Sequence, residues 1–274
     1  MTWRIVAGTE VGDLVRLQSL AEQVFGAGDR RPQWFVDKLD RECVDPALTQ
    51  VAMLDGDPIG YALVGRPPSS APILRAAGTA VLQAWRGRGI ASAMLDAATQ
   101  ASAGAPLELW AQDELVPFYA SRGFALVRSV TTLLAFARGT DFELPPLQPW
   151  STGDGIELHA YLEEAWTRTN AARRHTLVFD DLGACVHVCR EGRAFALHRT
   201  VVRDIARAPE VFDRVLERLP TATPVVAIAL PDTDVAPQRA MVSSVTHSLR
   251  AAGWVDIQRS RILRRAGHLA QRPR

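Results

Sequence analysis

Residues 81–91 read Val-Leu-Gln-Ala-Trp-Arg-Gly-Arg-Gly-Ile-Ala, between an apolar stretch, 73–82, and an Ala-rich stretch, 90–103. An apolar strand entering a glycine-rich turn that opens a helix constrains the fold more than anything else here: it demands a sheet with helices packed on it. Glycine lets the backbone approach a ligand closely. The first N–H groups of a helix have no intrahelical acceptor, and the positive end of the helix dipole adds attraction for an anion. Arg86 and Arg88 can add charge-assisted hydrogen bonds. The pattern predicts a pyrophosphate cradle. It is not a P-loop, which needs Lys and Ser/Thr after the second glycine, where Ile90 and Ala91 stand. It is not the dinucleotide fingerprint either, because Ser92 occupies the place of the third glycine.

A second tract follows one helix and one strand later. Leu107-Glu108-Leu109-Trp110-Ala111 alternates like a strand, and 115–122 reads as a short helix closed by Gly123 and followed by Phe124. In this order the two tracts resemble the GNAT acetyltransferase superfamily. Of its signature V-x-P-x-x-R/Q-G-x-G-x-A/G, Val81, Arg86, Gly87, Gly89 and Ala91 are present, and Gln83 replaces the proline. Of its second pattern, N-x-x-A-x-x-x-Y-x-x-x-G-F, the chain has Gln112, Leu115, Tyr119, Gly123 and Phe124 in register. The resemblance is firm over 45–137 and looser from Trp3 onward.

The resemblance implies that acetyl-CoA is the cosubstrate and that no metal is needed. Backbone N–H groups of Arg86, Gly87, Arg88, Gly89, Ile90, Ala91 and Ser92 would hold the pyrophosphate. Thr79, Ala80 and Val81 would offer backbone hydrogen bonds to the pantetheine arm and the thioester oxygen, stabilising the oxyanion of the tetrahedral intermediate. Gln112, one methylene longer than the family's asparagine, would reach a pantetheine carbonyl. Tyr119 would be the general acid for the departing thiolate; a phenol with a reference pKa near 10 carries its proton at neutral pH. The implied activity is transfer of acetyl to a primary amine by direct attack in a ternary complex. A non-catalytic acyl-CoA sensor on the same scaffold is the alternative, and an acyltransferase using a longer acyl chain a third.

The general base is open. A lysine amine is only about 0.1% neutral at pH 7.4, whereas an α-amine is about 30% neutral, so the need for a base depends on the acceptor. Many family members carry a glutamate on the cradle strand, but 73–81 contains no acid. Glu108 ranks first and Asp113, with Glu114 beside it, second; a group from the second half or a water chain is an equal alternative. The acceptor is a small-molecule or peptide amine whose identity the sequence does not disclose, and fold does not fix it. The oligomeric state is equally unwritten.

At 274 residues the chain predicts two domains. The expected fold class is mixed α/β, two tandem GNAT domains: a catalytic domain over 1–137 in the order β-α-α-β-β-β-α-β-α-β, ending in a strand pair over 124–136, then a linker over 138–150, which breaks every period. A degenerate GNAT-like domain over 151–274 follows. In that second half, strands are expected at 184–188, 193–202 and 224–230, and helices at 209–218 and 236–252. Leu249-Arg250-Ala251-Ala252-Gly253-Trp254 echoes Tyr119-Ala120-Ser121-Arg122-Gly123-Phe124. The turn at 202–207 has no glycine, so no working phosphate cradle is expected there.

A net charge of +1 gives no pull towards nucleic acid or an anionic membrane. No secretory leader or membrane-length apolar run is read, and Cys43, Cys185 and Cys189 do not make a disulfide framework, so a cytoplasmic enzyme is expected. Arginine in place of lysine everywhere except Lys38 suggests a GC-rich bacterial genome. Cys185, His187 and Cys189 alternate on one strand face, but their spacing of nearly 7 Å is too wide for one ion.

Overall fold

The structure, a computed structural model, describes residues 2–26, 33–66, 73–140, 156–160, 173–191, 194–232, 243, 246–247 and 249–266. The chain packs as two compact units, Met1–Val127 with Ile262–Arg274, and Arg128–Arg261.

The first unit begins with β1 (Arg4–Ala7), α1 (Gly8–Val11), α2 (Gln18–Phe25) and α3 (Trp34–Arg41). It continues with β2 (Gln50–Leu54), β3 (Asp57–Gly65), β4 (Leu74–Val81), α4 (Ile90–Ala101), β5 (Leu107–Gln112) and α5 (Val116–Ala120). β1 to β4 are antiparallel neighbours and β5 lies parallel to β4. Ahead of α2, Leu14–Leu17 form a 3-10 turn, whose start the Asp13 carboxylate caps by accepting the Val15 N–H at 2.9 Å. The hairpin between β2 and β3 turns at Asp55 (φ +49°) and Gly56 (φ +94°), the two positive φ angles of a tight hairpin turn.

Strand alternation sorts the side chains onto two faces. Val51, Tyr61 and Ala80 pack with Leu17, Leu20, Ala21 and Phe35 of the α2 and α3 side. Their sequence neighbours Ala52, Ala62 and Val81 pack with Ile90 and Met94 of α4. The first unit is therefore a sheet sandwiched by helices, with β4 at its centre.

The second unit contains β8 (Arg174–Phe179), β9 (Ala184–Glu191), β10 (Ala194–Val202), α6 (Ala208–Arg218) and β11 (Pro224–Asp232), with β7 (Ile156–Ala160) alongside β10. Its core joins Val186, Val188, Phe195 and Leu197 of the sheet to Val211, Phe212 and Val215 of α6, and Trp254 meets Phe212 edge-on at 5.8 Å. Of the helix expected over 236–252, residues 236–242, 244–245 and 248 lie outside the described residues; Ser243, Thr246, His247 and Leu249 to Ala251 are helical. The echo between the halves is physical. The Phe124 N–H reaches Tyr119 O at 3.2 Å and the Trp254 N–H reaches Leu249 O at 3.0 Å, each across a glycine of positive φ.

The unit boundaries differ from a cut after residue 137. The strand pair expected over 124–136 is one strand, β6 (Ala125–Phe136). Ala-Leu-Val-Arg-Ser-Val-Thr-Thr-Leu-Leu-Ala-Phe holds no Gly, Pro, Asn or Asp, and Ser129 alone is a weak turn former, so little in it favours folding the chain back. β6 runs on into the second unit, where Ser129 to Phe136 pair antiparallel with β11. The place beside β5 is filled by the chain's last strand, β12 (Val255–Arg265), whose end belongs to the first unit. The start of the expected linker is anchored. The Arg138 and Gly139 N–H groups donate to Leu216 O at the end of α6, and a Cβ on Gly139 would collide with the Glu217 and Leu219 carbonyls. Residues 141–150 lie outside the described residues.

Cys185 and Cys189 are buried on β9, on the face opposite Val186 and Val188, where they act as small apolar residues.

Candidate functional site

β4 and β5 pair only over Leu74↔Leu107, Arg75↔Glu108 and Ala76↔Leu109. Beyond that β4 runs on to Val81 and β5 to Gln112, and among the described residues no strand pairs with the β5-facing edge of β4 from Ala77 to Val81. The strands part at a bulge. Leu63 opposes Gly78 and Val64 opposes Ala76, so Ala77 is an extra residue in β4. Gly78, at φ +156°, takes a backbone conformation that side chains disfavour. The result is a fork whose open arm is lined by backbone from Thr79, Ala80 and Val81.

The fork leads into the cradle. After a 3-10 turn at Gln83–Trp85 the chain passes Gly87 and Gly89, both at φ +76°, and enters α4 with Gly89 as its cap. A cap without a side chain accepts nothing from the first turn. The first intrahelical bond is Ala93 N–H to Gly89 O at 3.0 Å, so the N–H groups of Ile90, Ala91 and Ser92 have no intrahelical acceptor. A Cβ on Gly87 or Gly89 would meet nothing within 4 Å, so these glycines serve backbone conformation rather than packing. Arg86 Nε donates to Val81 O at 3.1 Å, fastening the loop to the end of β4. The Arg88 guanidinium stacks 4.6 Å from the Trp85 ring centre.

One site residue was missed in the sequence. Arg122 Nε donates to Ser92 Oγ at 2.7 Å and its Nη1 to Phe118 O at 2.7 Å, with the guanidinium over the Phe118 ring. It ties α5 to the first turn of α4 and places a third positive charge there. The residue stood within the motif tract, but its partner lies 30 residues away.

α5 also delivers Tyr119. Its ring packs edge-on against Phe118 and Phe124 at 5.0 and 5.7 Å and is only 8% exposed. Its phenol hydrogen-bonds the Thr79 side chain, so the candidate acid meets the open arm. Burial raises the phenol's pKa above 10, and the Thr79 bond partly offsets that rise.

Glu108 is not at the fork. It opposes Arg75 in the paired segment, four residues before Thr79 and therefore about 13 Å away along the strand. Its carboxylate accepts from Arg264 Nη2 at 2.7 Å and Nε at 3.2 Å, and the residue is 7% exposed. Glu108, the first-ranked candidate base, is thus held in an ion pair with Arg264 within the paired segment. Glu108→Gln is expected to cost about 1.5–3 kcal/mol in denaturant unfolding and to leave acetyl-CoA affinity within twofold. Gln112, Asp113 and Glu114 are exposed past the end of the pairing, where the strands have parted. On the opposite face α3 lies over the bulge, with Lys38 Cε 3.9 Å from where a Gly78 Cβ would sit.

Residues 45–126, which hold fork, cradle and Tyr119, match the family model described as an acetyltransferase (GNAT) domain. Over these residues the first unit is similar to a GNAT domain. No curated protein matches the chain in sequence. Among solved structures, the GCN5-related N-acetyltransferase from Sphaerobacter thermophilus aligns over 96% of this chain and 95% of its own, with TM-score 0.55 and 13% identity. A tandem GNAT protein from the clavulanic acid biosynthesis pathway aligns over 97% and 98%, with TM-score 0.55 and 16% identity. The GCN5-related N-acetyltransferase from Anabaena variabilis covers 98% of this chain and 74% of its own, with TM-score 0.56 and 11% identity. At such identities the likeness concerns fold, and the fold is that of tandem GNAT proteins.

Proposed function

We propose that the chain is an acetyl-CoA-dependent N-acetyltransferase acting on a primary amine of a small molecule or peptide. The observation that carries this is the continuity of three features in one GNAT domain. An unpaired strand edge leads to a helix start with free N–H groups, and a buried phenol sits on that edge.

In this reading the N–H groups of Ile90, Ala91 and Ser92, with Arg86, Arg88 and Arg122 near them, neutralise the pyrophosphate. The open arm of β4 holds the pantetheine amides in extended form and directs an N–H at the thioester oxygen. The amine attacks the carbonyl carbon, the tetrahedral intermediate collapses, and the C–S bond breaks. Tyr119 gives its proton to the leaving thiolate and regains one from the amine through solvent. That proton leaves the nitrogen after attack; Glu108 is engaged elsewhere, so an acceptor that arrives as an ammonium first loses a separate proton to water or, through water, to Asp113 at the mouth of the fork. An acceptor whose amine titrates near neutrality needs no stronger base. A bacterial cytoplasm, with its acetyl-CoA supply, is the proposed location. No helix among the described residues is long and apolar enough to cross a membrane, and neither a membrane nor a nucleic acid enters the proposal.

The test is calorimetric titration with acetyl-CoA, followed by turnover with a broad amine panel. The expected result is saturable binding near one per chain and acetylation of at least one amine class. No binding would overturn the reading. Binding without turnover on any amine would favour an acyl-CoA sensor, consistent with Gln83 and Gln112 in place of the family's proline and asparagine.

A further inference from the structure

The second unit builds the same fork and then fills it. β10 and β11 run parallel over three pairs, Phe195↔Val225, Ala196↔Val226 and Leu197↔Ala227, as β4 and β5 do in the first unit. β10 then continues to Val202, as β4 continues to Val81. Along that continuing edge the first unit has no strand among its described residues. The second unit has β7, antiparallel to β10 in the register Arg199↔Ala160, Thr200↔His159, Val201↔Glu157 and Val202↔Ile156. β7 also lies against β11. β9 pairs with the other edge of β10 over its whole length. β10 is therefore flanked by a strand on both sides beyond the fork.

The helix start beyond it is filled as well. The Asp204 carboxylate accepts the Ala206 N–H at 3.0 Å, which puts the chain's own negative charge where a phosphate would sit. Pro209 stands in the first turn of α6 and brings no N–H. Arg207 is committed to the Glu210 carboxylate at 3.0 Å and to Asp181 O at 2.8 Å.

We propose that β7 is a built-in plug: the segment 156–160 occupies the fork of the second unit as an added strand, converting a cofactor-type slot into one that binds extended peptide backbone and closing that unit to acyl-CoA. An open edge here would expose a row of backbone donors and acceptors in register for stray strand pairing; the chain covers it with its own next available segment. The plug uses the hydrogen-bonding edge that, on the function proposed above, the first unit keeps for the pantetheine arm.

The test reads the plug directly, without relying on acetyl-CoA. Amide hydrogen exchange on the full chain is compared with the double variant His159→Pro/Ala160→Pro; these are adjacent paired residues, so one of the two N–H groups removed faces β10. The β7-facing amides of 199–202 are expected to exchange at least tenfold faster in the variant, while 195–197, held between β9 and β11, keep their protection. Unchanged protection throughout 199–202 would overturn the proposal. Should the proline variant unfold, a second variant decides. His159→Cys with Thr200→Cys, in a background of Cys43→Ser, Cys185→Ala and Cys189→Ala, places two thiols at directly opposed positions, a spacing a disulfide accepts. Oxidation is expected to link them nearly completely, and absence of the link would overturn the plug. Two acetyl-CoA sites per chain in the wild type would overturn it too, because the second unit could bind only with β7 displaced.

Discussion

Gly89→Asp is expected to lower acetyl-CoA affinity at least 100-fold, about 2.8 kcal/mol, while moving the thermal midpoint by only a few degrees. The two effects separate because of what surrounds Gly89. It is held at φ +76°, ψ 0°, the left-handed conformation that aspartate tolerates at a cost of about 1–2 kcal/mol. A Cβ there meets nothing within 4 Å, so the protein accepts the side chain without a clash. The ligand does not. The carboxylate would stand at the helix start, compete for the N–H groups of Ala91 and Ser92, and repel a phosphate. At about 4 Å and an effective dielectric near 20, one pair of like charges costs about 4 kcal/mol. Gly89→Asn separates charge from bulk. Asparagine also tolerates the left-handed region, so a much smaller loss is expected from it. Unchanged affinity in Gly89→Asp, measured by calorimetry, would remove the pyrophosphate assignment.

Residues whose role is local were legible in the sequence. Gly87 and Gly89 announce positive φ, Asp55-Gly56 announces a hairpin, and Gly123 before Phe124 announces a helix end; each rests on backbone geometry within a few residues. The Gly-rich turn into α4 and the short helix carrying Tyr119 could therefore be placed before any fold was seen. What stayed hidden depends on partners far along the chain. Glu108 reads as a free acid near the site until Arg264, 156 residues later, is found on its carboxylate. The continuation of β6 to pair with β11 is equally non-local, although the lack of Gly, Pro, Asn and Asp in 125–136 was a signal against a turn there. β7 is the sharpest case. Ile-Glu-Leu-His-Ala alternates as any edge strand does, and only its register on β10 says which edge it covers.

Tyr119→Phe is expected to lower kcat by about 10²-fold or more and to change acetyl-CoA affinity by less than threefold. The phenylalanine keeps the ring packed between Phe118 and Phe124 and removes only the hydroxyl bonded to Thr79. The pH dependence follows from the same burial. Because burial lifts the phenol above 10, Tyr119 stays protonated through the neutral range, and its loss as an acid is expected only above pH 10. The stability effect has the matching sign. A group whose folded pKa is raised contributes fully below its unfolded value, and the contribution is lost as pH rises through the folded value. Wild type is therefore expected to lose stability above about pH 10 more steeply than Tyr119→Phe, as read by denaturant unfolding of both proteins across pH 9–12. A variant that turns over at the wild-type rate would rule out Tyr119 as the acid. A variant that is slow but shows the wild-type alkaline loss of stability would mean that Tyr119 acts in catalysis without being the buried titrating group.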